Sequence, residues 1–396
     1  MDKGIEIARG KTKVLYEVPS SPDQLVVAQG DAITAGDGAR RDEIPGKGRL
    51  AAQTTSRVFR LLNLCGLPTH FLNGGEDDDD NEMLVRRCSM IPLEVVVRGV
   101  AAGSFARRHT GLQRGSILVP RVTEFFFKDD ANHDPLIAPE EIAARGIASP
   151  NEIGAMSEIA RLTFEILAHA WRHRDVLLVD MKVEFGRLIG GENQGQLVIA
   201  DVIDNDAWRI WRHGHEDQML DKQIYRNLDP VDEAGLARVK AAYEQVADYV
   251  GNFPAMRPGV AAIFVDDAQM VDRANEVAAA LHTFGIPTAR HLASVTVTPG
   301  YVLQIVSQIE ASFARPIFVA IGDHTLRATL DGSASSPVID GNDEPHRIAL
   351  ACAKLLAIDD SAMFGRVMLA QSNARSEMLR VDALLQQQLP PGAVIA

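Results

Sequence analysis

Apolar positions along this chain fall into two regimes. Up to residue 250, short apolar stretches of strand length alternate with charged turns, and three longer stretches carry a helical period. Residues 14–16 and 25–28 predict strands within a hairpin region spanning 5–35. Residues 50–64, 152–171 and 236–250 predict helices, the second with Ile159, Leu162, Ile166 and Leu167 on its apolar side. Residues 66–72 and 83–85 predict strands flanking an acidic turn at 76–80, and 91–97 a further strand.

Residues 251–259 are rich in proline and glycine and predict a linker. Beyond them, strands at 260–265, 288–292, 317–321 and 337–339 alternate with helices at 270–284, 301–312 and 345–356. That alternation predicts a parallel sheet of Rossmann or flavodoxin type. Residues 361–389 predict one long helix. Its stripe of Met363, Val367, Ala370, Ala374, Met378, Val381 and Leu385 is expected to pack on a domain or on a second copy.

A chain of 396 residues with 46% hydrophobic content suits two domains with buried cores. A net charge of −13 argues against a general nucleic-acid binder but allows a local basic pocket for anions. Cys65, Cys88 and Cys352 are scattered and odd in number, which predicts neither a disulfide frame nor a zinc site. The N-terminus shows no signal-peptide pattern and no apolar run nears 18 residues, so the expectation is a soluble cytoplasmic protein without membrane partners.

The strongest chemical signal lies in Val179-Asp-Met-Lys-Val-Glu-Phe-Gly186 and Ala200-Asp-Val-Ile-Asp-Asn-Asp-Ala-Trp-Arg209. A strand sends alternate side chains to one face, so Lys182 and Glu184 share a face. Asp201, Asp204 and Asp206 fall close to Arg209. Carboxylates beside cations at strand ends suit Mg²⁺ and phosphate, because Mg²⁺ takes one or two carboxylates plus phosphate oxygens. Surface hairpins laced with salt bridges give the same pattern. Gly10, Lys11 and Lys13 sit at a turn before a strand, where glycine lets backbone N–H groups approach phosphate; the Walker spacing is absent. His70 and His133 have no ligand-type spacing and read as ordinary surface or satisfied histidines.

Together with Gly10-Lys-Thr-Lys13, residues 31–37, Arg98, Ala102-Gly-Ser104 and residues 126–135, 180–186, 201–209 and 221–226, these pieces run in an order that resembles SAICAR synthetase. That family is the ATP-dependent ligase of purine biosynthesis. The resemblance sets a first domain at 1–253 and implies an α/β class with an ATP-grasp-like α+β fold. It implies that ATP, carboxyaminoimidazole ribotide (CAIR) and L-aspartate give SAICAR, ADP and phosphate through an acyl phosphate. By the same resemblance Lys11 and Lys13 contact the ATP phosphates. Residues 83–88, with Arg86 and Cys88, form the edge that reads adenine. Glu184 and Asp201 hold Mg²⁺ or the nucleotide, and Lys182 bridges phosphates. Arg98, Ser104 and Arg209 bind the ribotide phosphate. Lys128 and Asp134 lie beside the transferring phosphoryl. Thr34, Asp37 and Lys47 sit in a mobile loop that closes over the substrates, and Asp206, Lys222 and Arg226 complete substrate binding. Alternatives stay open: a structural ion pair for Arg98, and a surface cluster for Lys128 with Asp129, Asp130 and Asp134.

Residues 258–396 resemble AIR carboxylase (phosphoribosylaminoimidazole carboxylase), joined in the order of the bifunctional animal-type enzyme. The cues are the strand at Val260, Phe284-Gly-Ile-Pro287, the strand at Ile317, Pro337-Val-Ile339 and the terminal helix. The resemblance implies a three-layer domain, but its chemistry is missing. The first strand runs into Val265-Asp-Asp-Ala-Gln269 instead of a serine-rich ribotide loop. The catalytic histidine's position aligns with Ser294-Val-Thr296, and threonine cannot shuttle protons as imidazole does. Residues 322–332 read as a degenerate loop with His324 exposed on it. The expectation is therefore a catalytically inactive, oligomerising domain. A ligase with a different acid or amine, as in nucleoside-antibiotic synthesis, and a non-catalytic nucleotide-binding scaffold remain as alternatives.

Overall fold

The computed structural model describes residues 2–36, 38–77, 80–253, 259–266, 268–292, 299–313, 315–322, 324–331 and 334–388. The chain divides into two compact units, Met1–Phe253 and Pro254–Ala396. Most of the Pro/Gly-rich linker, residues 254–258, lies outside the described residues.

In the first unit, antiparallel strands β1 (Glu6–Arg9), β2 (Lys13–Glu17) and β3 (Gln24–Gln29) precede a hairpin of β4 (Ala32–Ala35) and β5 (Arg40–Glu43). Helix α1 (Lys47–Cys65) follows and stops where Gly66 takes φ 90°, a left-handed value that glycine adopts without a Cβ clash. The Gly66 N–H turns back to Asn63 O and Pro68 brings no donor. Residues 66–70 are therefore a loop, and only the end of the strand expected at 66–72 forms. That strand is β6 (Phe71–Gly74). With β7 (Glu82–Arg86) it completes a five-stranded sheet, ordered β1-β2-β3-β7-β6. In the acidic turn between them, Asp80 accepts from the N–H groups of Gly75 (3.0 Å) and Glu82 (2.8 Å); Asp78 and Asp79 lie outside the described residues.

The second sheet carries the site. Its strands are β8 (Cys88–Val100), β9 (Ile117–Phe127), β10 (Leu136–Ile137), β11 (Val176–Leu188), β12 (Leu197–Ala200) and β13 (Trp208–Arg212). Helix α2 (Gly103–Arg108) lies between β8 and β9, and α3 (Pro139–Ala144) and α4 (Pro150–Arg172) between β10 and β11. The order is β10-β9-β8-β11-β12, and β13 pairs the other end of β11. β12 covers residues 184–187 of β11 and β13 covers 176–181. The chain must cross from one to the other beside Lys182, whose backbone N–H donates to Ala207 O (2.7 Å). This crossover at 201–207 forms one wall of the cleft described below.

Helix α4 buries Met156, Leu162, Phe164, Ile166 and Leu167 against this sheet. A reciprocal cap starts it: Ser149 Oγ accepts from the Glu152 N–H and Glu152 accepts from the Ser149 N–H (2.8 Å). Ser149→Ala is expected to cost about 1 kcal/mol, visible as a lower urea midpoint with an unchanged slope. Helices α5 (Gln223–Arg226) and α6 (Glu233–Gly251) end the unit, and Tyr225, Val239 and Tyr243 share a core with Ile33 and Leu50.

The second unit alternates β14 (Val260–Val265), α7 (Val271–Thr283), β15 (Thr288–Leu292), α8 (Pro299–Ser312), β16 (Pro316–Ile321), α9 (His324–Asp331), β17 (Val338–Asp340), α10 (Pro345–Leu356) and α11 (Ser361–Gln388). The strands form a parallel sheet, ordered β15-β14-β16-β17. Ala261, Ile263 and Val265 face α7, α10 and the start of α11, whereas Ala262 and Phe264 face α8 and α9; both faces of the sheet are covered. Helix α9 corrects the expected loop at 322–332, and His324 is its first residue. Leu326 and Leu330, four apart, are buried and give the segment a helical face. Among the described side chains the α11 stripe packs at its start: Met363 and Val367 are buried, whereas Met378 and Val381 are exposed. No helix among the described residues is long and apolar enough to cross a membrane.

Candidate active site

Asp180, Lys182 and Glu184 alternate along β11, so all three project from one face of the second sheet. Across the pair with β8, Asp180 faces Arg98 and Glu184 faces Glu94. Two carboxylates directly opposite repel each other, and the Lys182 ammonium relieves this by donating to both Glu94 and Glu184 (3.2 Å to Glu184). Lys128, just past β9, donates to the other oxygen of Glu184 (2.6 Å). Burial acts to raise the pKa of Glu184, but Lys182, Lys128 and Lys13 outweigh it and hold the carboxyl below its ordinary value. Burial likewise works against the charge on Lys182, yet Glu184 and Glu94 raise its pKa. Lys128 is thus an ion-pair partner of Glu184 and not the surface cluster considered above.

Asp201, in the left-handed region at φ 61°, pairs with Lys13 at the start of β2. Burial, helped by Lys182 and Lys128 and opposed by Glu184, brings the Lys13 ammonium down to about 8. These groups line a cavity of about 570 Å³ together with Lys11, Thr34, Asp134, Asp206, Lys222 and Arg226. The sequence suggested that Asp201, Asp204 and Asp206 gather at Arg209. Instead Arg209 bonds Asp180, and Asp206 pairs with Lys222 (2.6 Å).

A second cavity, of about 590 Å³, shares Glu94, Asp134, Lys182, Asp206, Ala207 and Arg226 with the first, so the two are ends of one cleft. Arg98, Ser104, Arg108 and Arg209 line this end. Arg209 grips Asp180 with two nitrogens (2.9 and 2.6 Å), Arg98 bonds the same carboxylate (3.0 Å) and Glu124, and Arg108 also bonds Glu124. Arg98 is buried in this network, so it is both an ion-pair member and a wall of the cavity. Three guanidinium groups to two carboxylates leave a positive excess, and the guanidinium fork matches phosphate oxygens. Gly103, at φ 52°, makes room for this arrangement: an added Cβ would lie 1.7 Å from Arg209 Nη1. Gly103→Ala should displace Arg209 and weaken phosphate-bearing ligands by about tenfold, measured as a dissociation constant.

Several expected positions fall elsewhere. Lys47 is not on a loop: it begins α1, is 2% exposed, and its ammonium lies 5.4 Å from the Tyr243 ring centroid. Thr34 is likewise on strand β4 rather than a loop, although it does line the first cavity. Asp37 lies outside the described residues. Strand β7 is interior, bonded to β3 and β6 on its two sides, so residues 83–85 offer no free backbone edge for adenine. Arg86 donates to Thr69 O and Cys88 begins β8; neither lines the two cavities. His70 is buried rather than at the surface, edge-on to Phe59, and burial together with Lys13 and Arg86 drives its pKa to about 3. Glu94 and Asp180 were not singled out from sequence as site residues. An acid between buried Leu93 and Val95 in an apolar strand was the available signal for Glu94.

For Mg²⁺ the donor set is adequate. Glu184 and Asp201 line the same cavity, and among the described residues no cluster of three or more acids, histidines or cysteines competes as a metal cage. Mg²⁺ needs only one or two carboxylates when phosphate oxygens supply the rest.

Comparison with known proteins agrees with this geometry. The family model described as SAICAR synthetase matches residues 6–242. The phosphoribosylaminoimidazole-succinocarboxamide synthase of Chloroflexus aurantiacus is 52% identical over 255 residues, 64% of this chain and 99% of that protein. A bifunctional phosphoribosylaminoimidazole carboxylase/succinocarboxamide synthetase of Drosophila melanogaster is 34% identical over 345 residues, 85% of this chain and 79% of that protein. A solved SAICAR synthetase in complex with ADP superposes with a TM-score of 0.55 at 34% identity, covering 63% of this chain and all of that one. A family match over more than half the chain, spanning every residue that lines the cleft just described, makes this chain a member of the SAICAR synthetase family.

Proposed function

We propose that the cleft of the first unit joins L-aspartate to the carboxylate of CAIR at the expense of ATP, the ligation by which this family serves purine biosynthesis. The observation that carries the reading is the succession along one sheet face: three lysines around Glu184 and Asp201, then three arginines around Asp180 and Glu124. The lysine end suits a triphosphate and the arginine end a ribotide phosphate, with the reacting carboxylate between them at Lys182. The CAIR carboxylate attacks the γ-phosphorus and ADP departs. The aspartate amine then attacks the acyl carbon, and phosphate and a proton leave. Most of the catalysis in such a transfer is positioning and charge neutralisation. Lys13, Lys128 and Lys182 screen the phosphoryl oxygens, Lys11 meets the outer phosphates, and Arg98, Arg209 and Ser104 anchor the ribotide. Lys222 and Arg226 receive the carboxylates of the amino acid, and Asp206 its amine. Glu184 and Asp201 would hold Mg²⁺, which supplies further charge neutralisation on the phosphates.

For the second unit we infer an AIR carboxylase-like fold that has lost catalysis and serves in assembly. The order β15-β14-β16-β17 places the ligand crevice of such sheets between the ends of β14 and β16. There Asp266 sits against Gly322, where an added Cβ would meet it at 1.8 Å. The Asn342 amide clamps the Gly322 backbone, accepting from its N–H (3.0 Å) and donating to its oxygen (2.8 Å). Ser294-Val-Thr296, the substituted catalytic segment, lies outside the described residues.

ADP release measured with Mg²⁺, ATP, CAIR and L-aspartate, omitting each in turn, tests the first unit. Turnover requiring all three substrates supports the ligase. Silence with CAIR, but turnover with another acid or amine, assigns the chain to a paralogous ligase. No carboxylation of the unmodified ribotide is expected from the second unit.

A further inference from the structure

Tyr243 lies on α6 beneath the cleft, 1% exposed, and touches neither cavity. Its ring belongs to the core with Ile33, Leu50 and Val239, which alone would explain a buried aromatic residue. Its hydroxyl does something a core ring does not: it donates to Asp206 Oδ1 at 2.6 Å. Lys222 donates to the other oxygen, Oδ2, also at 2.6 Å. Both oxygens of Asp206 are thus fixed, one from the cleft side and one from below. The Tyr243 ring also bears on Lys47, whose buried ammonium lies 5.4 Å from its centroid. Asp204 completes the group by accepting from the Asp206 N–H (2.8 Å).

We propose that Tyr243 is a positioning residue for the amine-binding part of the cleft, where its two cavities meet: its hydroxyl sets the Asp206 carboxylate beside Lys222, and its ring seats Lys47. The assignment of that part to the amino-acid substrate rests on the ligase reading above. Asp206 lines both cavities and has one oxygen tied to Lys222 and the other to Tyr243 in the core, so its direction is fixed before substrate arrives. Such pre-organisation holds a reacting or binding group in place without reordering at the moment of use. The charged and titratable groups facing Asp206 are Lys222, Lys47, Asp204 and Tyr243. Burial opposes ionisation of Asp206, but Lys222 and Lys47, with the Tyr243 hydrogen bond, keep its pKa below the ordinary value.

Tyr243→Phe keeps the ring and deletes the hydroxyl. The expected result is a KM for L-aspartate raised about tenfold, the scale of one lost hydrogen bond to a charged group. The KM for ATP should stay near wild type, and the melting temperature should fall by no more than several degrees, the cost of one buried hydrogen bond. In the background of Asp206→Asn the same change should add almost nothing, because both variants remove one interaction. A Tyr243→Phe enzyme with wild-type aspartate kinetics, or one whose ATP and aspartate constants shift together, would overturn the proposal. A readout without substrates separates this from the ligase reading. The ¹³C resonance of the Asp206 carboxyl, identified by its loss in Asp206→Asn, should titrate at higher pH in Tyr243→Phe. An unchanged titration rejects the positioning role even if wild-type protein proves inactive with CAIR.

Discussion

Glu184→Gln should lower the rate of ADP release by about 10²- to 10³-fold, the range for removing one preorganised electrostatic group from a reacting centre. Glu184 is 4% exposed and both of its oxygens are engaged, one by Lys182 and one by Lys128. It therefore sets the separation of two ammonium groups that would otherwise repel each other in a site of low dielectric. Glutamine keeps the shape and can still accept one hydrogen bond, but it no longer neutralises the pair. Lys182 retains Glu94, so the strand should remain folded while Lys128, with a side chain 43% exposed, is released toward solvent. The prediction is a loss in kcat with cooperative unfolding preserved. A variant that turns over at the wild-type rate would mean that the lysine–carboxylate cluster is structural and that chemistry occurs elsewhere.

Asp180→Ala should cost about 3–5 kcal/mol of stability, the usual result of removing one partner from a buried ion pair. At roughly 2–4 °C per kcal/mol for a unit of this size, the melting temperature should fall by about 10 °C. Asp180 is 5% exposed and, among the described residues, is the only carboxylate bonding Arg209; Arg98 shares it with Glu124. Without it, the Arg209 guanidinium is left in a cavity wall without its carboxylate, and Arg98 keeps only Glu124. The exposed pair of Arg114 and Glu216 is the matched control: Glu216→Ala there should cost less than about 1 kcal/mol. Calorimetry of the two variants beside wild type checks both figures. Equal effects would show that the Asp180 network is open to water and contributes little.

Local features of the site were legible and long-range ones were not. Lys182 and Glu184 could be placed on one face because strand alternation is a property of neighbours. The long helices and the parallel alternation after residue 260 followed from periodicity for the same reason. The partners of Arg209 and Arg98 were not legible. They depend on cross-strand register, with Asp180 lying 29 residues from Arg209 and 82 from Arg98. Glu94 entered the site only because β8 pairs with β11 so that it faces Glu184. Lys47 was expected on a loop from the family resemblance alone; the structure makes it the first residue of α1, after Gly46 at φ 86°, and buries it. Helix α9 was hidden by the flanking glycines Gly322 and Gly332, while two leucines in eight residues were enough to anchor it.

The central claim is that CAIR's carboxylate is activated by ATP in this cleft. The most direct measurement supplies CAIR labelled with ¹⁸O in that carboxylate, together with Mg²⁺, ATP and L-aspartate, and follows the released phosphate by mass spectrometry. The acyl phosphate route predicts one ¹⁸O atom in each phosphate and one left in the amide of the product. Product formed with unlabelled phosphate would contradict the route, and no aspartate-dependent product at all would contradict the assignment of this cleft.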